Sequence, residues 1–226
     1  MKSLEFVLIT DRKACEENLC DIVVSTLEGG VSTVQLREKE LSTKDLYTLA
    51  KKLRTITEEH GANLVINDRV DIALAVNADG VHLGWQSLSI DVVRKLVGPE
   101  MMIGFSAHSF DEVKKASFQG VDYVSISPVY RTLSKDPSTK PLGVVELKKI
   151  KRYLSVPLIG LGGINEFNVK EVLENGADGV AVISALLRSK RPEQTAKTMH
   201  DIIKKYQRLK DDQILGGNKK WSCKNS

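Results

Sequence analysis

The stretches Asn77-Ala-Asp-Gly-Val81, Gly120-Val-Asp-Tyr-Val124 and Gly176-Ala-Asp-Gly-Val180 are copies of one joint. In each, an Asn or Gly suited to the left-handed conformation stops a helix, and an Asp stands just before an apolar run. Gly29-Gly-Val31 and Gly61-Ala-Asn63 repeat the joint more loosely. Outward from these joints, short apolar runs recur at Phe6–Ile9, Thr33–Leu36, Leu64–Ile66, Val81–Leu83, Met102–Phe105, Tyr123–Ile126, Leu158–Leu161 and Val180–Ile183. Most are apolar throughout rather than alternating, as strands covered on both faces of a parallel sheet require. Helical spacing fills the intervals: Leu46, Leu49 and Leu53; Val145, Leu147 and Ile150; Val169, Val172 and Leu173. Eight strands alternating with about eight helices predict an α/β fold, a single-domain (β/α)8 TIM barrel. A doubly wound open sheet shares this periodicity, which cannot report closure, and is weaker on strand count.

The barrel is expected over residues 1–207. From about Arg208 the periodicity is lost, and 208–226 reads as a flexible extension, although Trp221 could fold back onto the body. The 226 residues carry 33 Lys and Arg against 29 Asp and Glu, a net charge of +4. That balance shows no strong basic bias, so nucleic acid is not an expected partner. At 42% hydrophobic and 27% charged the chain is a folded one, and at 5% aromatic its core must be aliphatic. Cys15, Cys20 and Cys223 form no CxxC pair and no disulfide framework. No apolar run approaches the ~18 residues of a membrane span. The N-terminal run is cut too soon by Asp11 for a secretory signal. These features predict a cytoplasmic protein.

A barrel of this kind places its site at the C-terminal ends of its strands. Gln35, Arg37 and Lys39 alternate at one such end, so all three should point the same way. A planar guanidinium beside a point-charge ammonium suits a di- or triphosphate, whereas with Glu38 and Glu40 the same run is also a solvated charge cluster. Gly160-Leu-Gly-Gly-Ile164 ends the seventh strand, and Ile183-Ser184 ends the eighth. Loops there often bind phosphate through backbone N–H groups, and glycine permits the close approach. Asp68, at another strand end, could hold Mg²⁺, pair with Arg69, or cap the next helix. His82 and His108 lie at neighbouring strand ends with no zinc-ligand spacing. His60 and His200, in helical and exposed stretches, carry no assigned function.

These residues, in this order, resemble the thiamine phosphate synthase superfamily, which includes the TenI-type thiazole tautomerases. The resemblance runs from Leu8-Ile-Thr-Asp11 to Val182-Ile-Ser-Ala185. It is carried by Val34-Gln-Leu-Arg-Glu-Lys39, Leu64-Val-Ile-Asn-Asp-Arg-Val-Asp71, Ala78-Asp-Gly-Val-His-Leu-Gly84, Gly104-Phe-Ser-Ala-His-Ser109, Ser127-Pro-Val-Tyr-Arg-Thr-Leu-Ser-Lys135 and Gly162-Gly-Ile164. It implies an enzyme that joins hydroxymethylpyrimidine diphosphate to a thiazole phosphate, releasing thiamine phosphate and pyrophosphate. Carried over by position, Gln35, Arg37, Lys39, Asn67, Ser106 and Lys135 would hold the pyrimidine diphosphate, and Arg37, Lys39 and Lys135 would stabilise the departing charge. Asp68 would bind Mg²⁺. Thr132, Ser134, Gly162, Gly163, Ile183 and Ser184 would hold the thiazole phosphate.

One departure matters. The synthase pattern has a second Mg²⁺-binding Asp three residues after His-Leu-Gly, and here Ser87 stands at that place. Ser-Leu there looks like the tautomerase branch, which isomerises a thiazole carboxylate phosphate and in which a histidine at the position of His108 moves a proton. Against that branch, an isomerisation releases no pyrophosphate and gives Arg37, Lys39, Lys135 and Asp68 less to do. The synthase is the first reading and the tautomerase the alternative. A non-catalytic phosphate-binding regulatory barrel is the third, and fold alone does not exclude it. Small phosphorylated substrates are the expected partners in each case. The residues leave the oligomeric state open, a homo-oligomer included.

Overall fold

The computed structural model describes residues 4–132 and 139–219. Eight parallel strands close into a barrel in chain order. They are β1 (Phe6–Ile9), β2 (Thr33–Leu36), β3 (Asn63–Asn67), β4 (Gly80–Leu83), β5 (Met102–Ala107), β6 (Tyr123–Ile126), β7 (Leu158–Leu161) and β8 (Gly179–Val182). Closure is the pairing of Phe6 with Val180 and Leu8 with Val182, which decides for the barrel over the open sheet. The helices outside are α1 (Leu19–Glu28), α2 (Thr43–Glu59), α3 (Val70–Ala75), α4 (Ile90–Val97), α5 (Phe110–Phe118), α6 (Val144–Lys151), α7 (Val169–Glu174), α8 (Ser184–Leu187) and α9 (Pro192–Lys219). Among the described residues, no helix is long and apolar enough to cross a membrane.

Strand alternation divides the core in two. Leu8, Val34, Leu64, Ile66, Val81, Ile103, Val124, Leu158 and Val180 face outward and pack under the helices. Val7, Ile9, Val65, Met102, Tyr123, Ile159 and Ala181 fill the barrel interior. Both sets are apolar, which is why the strand sequences read as continuous apolar runs. On α6 only Leu147 and Ile150 are buried, while Val145 is 66% exposed. Val145 precedes Leu147 by two positions, about 200° around a helix, so the expected stripe cannot include it.

The repeated joints staple the bottom of the barrel. Asn77, Gly120 and Gly176 take positive φ values of 52°, 81° and 102°. The Asp that follows each closes a reciprocal pair with the start of the preceding strand. Asp79 accepts the Leu64 N–H on Oδ2 at 2.7 Å and donates its own N–H to the Leu64 carbonyl at 2.9 Å. Asp122 does the same with Ile103, at 2.7 and 2.8 Å, and Asp178 with Leu158, at 2.9 and 2.8 Å. Each carboxylate also meets a cation from the helix between the two strands or just before them: Arg54 of α2 at 2.7 Å, Arg94 of α4 at 2.6 Å and Lys151 of α6 at 2.6 Å. Between β1 and β2 a hydroxyl takes this place, with Ser32 Oγ accepting the Phe6 N–H at 3.3 Å.

Helix α9 continues past residue 207, so the sequence boundary falls inside it. Lys210 Nζ lies 3.4 Å from Asp178 Oδ1. His200 is half-buried rather than exposed, with its ring occupying the space a Cβ on Gly30 would need.

The Asp79 joint gives a direct test. Asp79→Ala removes the 2.7 Å partner of a nearly buried Arg54, which keeps Glu58 at 3.1 Å and the Asn77 carbonyl at 3.3 Å, and leaves the Leu64 N–H without its carboxylate acceptor. The expected loss is about 2–4 kcal/mol in urea denaturation, with Asp79→Asn between variant and wild type. Ser32→Ala, which strands no charge, is expected to cost less than about 1 kcal/mol.

Candidate active site

Above its apolar layer, the barrel interior turns polar. Gln35, His82 and Ser125 are buried there, with Asn67 and Ser106 half-buried. Inward pleat positions on β2, β3, β4, β5 and β6 supply them, so alternation alone brings five separate segments to one surface. Gln35, Asn67, His82 and Ser106 form the floor of a cavity of about 580 Å³ at the C-terminal ends of the strands. Gln35, Arg37, Lys39, Asn67, Asp68, Ser106, His108, Thr132, Gly162, Gly163, Ile183 and Ser184 all line it. Ser134 and Lys135 lie outside the described residues.

The Gln35–Arg37–Lys39 alternation needs correction in its cause. β2 ends at Leu36, and Lys39 sits in the turn that follows. Its place at the cavity therefore comes from the loop, not from the strand pleat. Arg37 is half-buried, and its N–H donates to the buried Thr10 Oγ1 at 2.9 Å. Glu38 is not part of a solvated cluster, since its side chain is 1% exposed. Its carboxylate accepts the Arg12 N–H at 3.1 Å on both oxygens, tying the β1–α1 loop to the loop that carries Arg37. Burial pushes the Glu38 carboxyl up, opposed by hydrogen bonds from the Thr10 hydroxyl and the Arg12 N–H.

Asp68 is exposed at the end of β3, in the left-handed region at φ 64°. Asp tolerates that conformation better than most side chains. Its N–H is held by the His82 carbonyl at 2.9 Å. Arg69 directs its guanidinium to Asp71 at 2.8 Å and to Thr43 at 3.2 Å, and no side chain caps α3. Across the barrel, Gly162 and Gly163 take φ values of 102° and 67°, and a Cβ on either would run into the Pro128–Arg131 segment. Backbone bonds join the two loops, from the Val129 N–H to Leu161 O at 2.9 Å and from Tyr130 to Gly162 O at 3.0 Å. Ser87 turns inward on its own loop, accepting the Gly84 N–H on Oγ at 2.8 Å. His108 is exposed at the cavity wall, its backbone N–H donating to Glu112 at 2.8 Å and its Nδ1 3.9 Å from the same carboxylate.

The buried polar network around His82 was not legible in the sequence. Nδ1 lies 2.9 Å from the Tyr123 hydroxyl, and Nε2 lies 2.8 Å from Ser106 Oγ and 3.3 Å from Ser125 Oγ. Gly104 makes it fit, because the Tyr123 ring occupies the space its Cβ would need. Complete burial drives the imidazole pKa down to about 3, and the Arg37 guanidinium adds to the effect. Neutral His82 must donate from one nitrogen and accept on the other, which fixes the hydroxyls it touches. A strand-end His signals none of this, since its partners are set by the β4–β5–β6 register.

Linkage makes the network measurable. An unfolded His titrates near 6.5, so between about 6.5 and 3 the unfolded chain holds a proton that buried His82 does not. Its contribution is complete above pH 6.5 and is lost as the pH falls, with a slope of about 1 kcal/mol per pH unit. Urea denaturation between pH 6.5 and 4 is expected to show a shallower acid loss in His82→Gln than in wild type; parallel curves would refute the neutral assignment.

Comparison with known proteins places this cavity in a family. The thiamine monophosphate synthase family model matches residues 6–186. A thiamine-phosphate synthase from Clostridium acetobutylicum is 43% identical over 208 residues, covering 91% of this chain and 98% of the relative. One from Methanococcus maripaludis is 40% identical, covering 90% and 96%. The solved structure of thiamine phosphate pyrophosphorylase from Pyrococcus furiosus superposes with a TM-score of 0.83 at 35% identity, over 90% of this chain and 96% of that one. On fold, cavity and sequence together, the chain belongs to the thiamine monophosphate synthase family.

Proposed function

We infer that this chain is a thiamine-phosphate synthase, joining hydroxymethylpyrimidine diphosphate to thiazole phosphate with release of pyrophosphate. The observation that carries the reading is that one cavity is lined from both sides by the residues we assign to the two substrates. Gln35, Arg37, Lys39, Asn67, Asp68 and Ser106 come from β2, β3 and β5 and the loops after them, and Thr132, Gly162, Gly163, Ile183 and Ser184 from the far side. In our assignment the first group, with Lys135, holds the pyrimidine diphosphate, and the second, with Ser134, holds the thiazole phosphate. The bond between the pyrimidine methylene carbon and the diphosphate oxygen breaks, and its electron pair leaves with pyrophosphate. The thiazole nitrogen then donates its lone pair to the methylene carbon. Negative charge grows on the leaving group, which the cationic Arg37 and Lys39 of the cavity lining would stabilise.

Mg²⁺ is the cofactor we propose. Among the described residues, no group of three His, Cys, Asp or Glu is placed to hold a metal. The hard oxygen donor of Asp68 fits all the same, because Mg²⁺ is commonly held by one or two carboxylates together with substrate phosphates. Bound there, the ion would add positive charge at the diphosphate. Ser87 supplies no carboxylate, and its hydroxyl is committed to the loop. The tautomerase alternative shares the fold, but the relatives above are named as synthases. A single catalytic domain on this barrel and a cytoplasmic location complete the proposal, the latter in keeping with Cys15 and Cys20 as free thiols.

Incubating the purified protein with both substrates and Mg²⁺ is expected to yield thiamine phosphate. Isomerisation of the thiazole carboxylate without coupling would replace the synthase by the tautomerase. Arg37→Ala is expected to weaken pyrophosphate binding by about 1.5–3 kcal/mol in calorimetry, the range of a charge-assisted hydrogen bond. His108→Asn is expected to lower coupling by less than tenfold, whereas removing a general acid or base costs ~10²–10⁴-fold.

A further inference from the structure

Trp85 is the only phenyl or indole ring among the described residues that line the active-site cavity, and it is 77% exposed. It stands directly after Gly84 at the end of β4, in a turn closed from both sides by Ser87. The Gly84 N–H donates to Ser87 Oγ at 2.8 Å, and the Ser87 N–H donates to the Gly84 carbonyl at 3.1 Å. The hydroxyl at position 87 thus holds the turn that presents the indole. β4 lies between β3, which ends in Asn67, and β5, which carries Ser106, and so on the pyrimidine diphosphate side of the cavity. An indole buries a large area when covered, and its face carries negative quadrupole density. An aromatic face held at a cavity mouth suits stacking on a flat heterocycle, which is sequence-tolerant and needs no hydrogen bond.

We propose that Trp85 stacks on the pyrimidine ring of the diphosphate substrate and closes that half of the cavity. This rests on the synthase reading. The indole face also meets the positive charge that grows on the pyrimidine as pyrophosphate leaves, so it favours the transition state over the bound substrate. The neighbouring diphosphate is held by other side chains and does not need Trp85.

Steady-state coupling is measured for wild type, Trp85→Ala, Trp85→Leu and Trp85→Phe. In Ala and Leu, kcat/KM for the pyrimidine diphosphate is expected to fall about tenfold or more, with Phe within about threefold of wild type. KM for the thiazole phosphate and Kd for inorganic pyrophosphate stay within about twofold throughout. Leu keeps apolar bulk without a π face, so its loss separates stacking from burial. A second readout needs no turnover. With Trp221, the other tryptophan, changed to Phe, Trp85 fluorescence is quenched by the pyrimidine diphosphate and unaffected by pyrophosphate alone. Unchanged kcat/KM in Trp85→Ala overturns the proposal. So does a parallel loss of pyrophosphate affinity, or a change in sedimentation with unaltered kinetics, which would assign the ring and the exposed Leu88 nearby to a subunit contact. If wild type fails to couple, the synthase reading fails, and quenching by the pyrimidine diphosphate still decides the role of Trp85.

Discussion

A strand in a parallel barrel has no hairpin to pin its register, so its height must be set from outside the ladder. The Asp pairs at the barrel bottom do this. Asp79, Asp122 and Asp178 each bond both backbone groups of one residue on the strand before, at Leu64, Ile103 and Leu158. A slip by one residue would break two hydrogen bonds and part a carboxylate from its helix cation. It would also turn every inward side chain outward. The polar floor above follows from this register, because Gln35, Asn67, His82, Ser106 and Ser125 face inward only while the strands keep these heights.

The two ends of the barrel use charge differently. At the bottom, each carboxylate is matched by Arg54, Arg94 or Lys151 within salt-bridge distance. At the top, Arg37 and Lys39 bring positive charge to an open cavity. Between the two ends, burial keeps His82 neutral.

The joints and the eight runs made the architecture legible, because helix stops and strand apolarity are local properties. Strand bounds matched to within one or two residues at each end. Closure was not local: it needed the Phe6–Val180 pairing, which no window along the chain contains. Most residues that line the cavity were legible as strand-end residues, and the side of the barrel each occupies followed from strand number. What failed were inferences across a boundary or through space. Strand alternation does not carry past Leu36 to Lys39, Glu38 is buried rather than part of the alternative solvated cluster, and the loss of apolar periodicity near Arg208 does not end a helix that continues to Lys219. His82 was noticed, but Tyr123, Ser125 and Gly104, which give it a role, lie on other strands.

Ser87 shows how one substitution bears on both chemistry and shape. With no carboxylate there, a Mg²⁺ held by Asp68 in the proposed synthase would take its remaining oxygen donors from the diphosphate and water. The serine hydroxyl is also short enough to fold back on the Gly84 N–H, 2.8 Å away. That bond closes the turn, and the closed turn holds Trp85 at the cavity mouth. The position thus offers no carboxylate and instead closes the turn that carries the aromatic ring. In a site that separates charge, metal and ring can serve one end. On the readings proposed above, a metal held by Asp68 would stabilise the anion that leaves, and the ring the cation that stays.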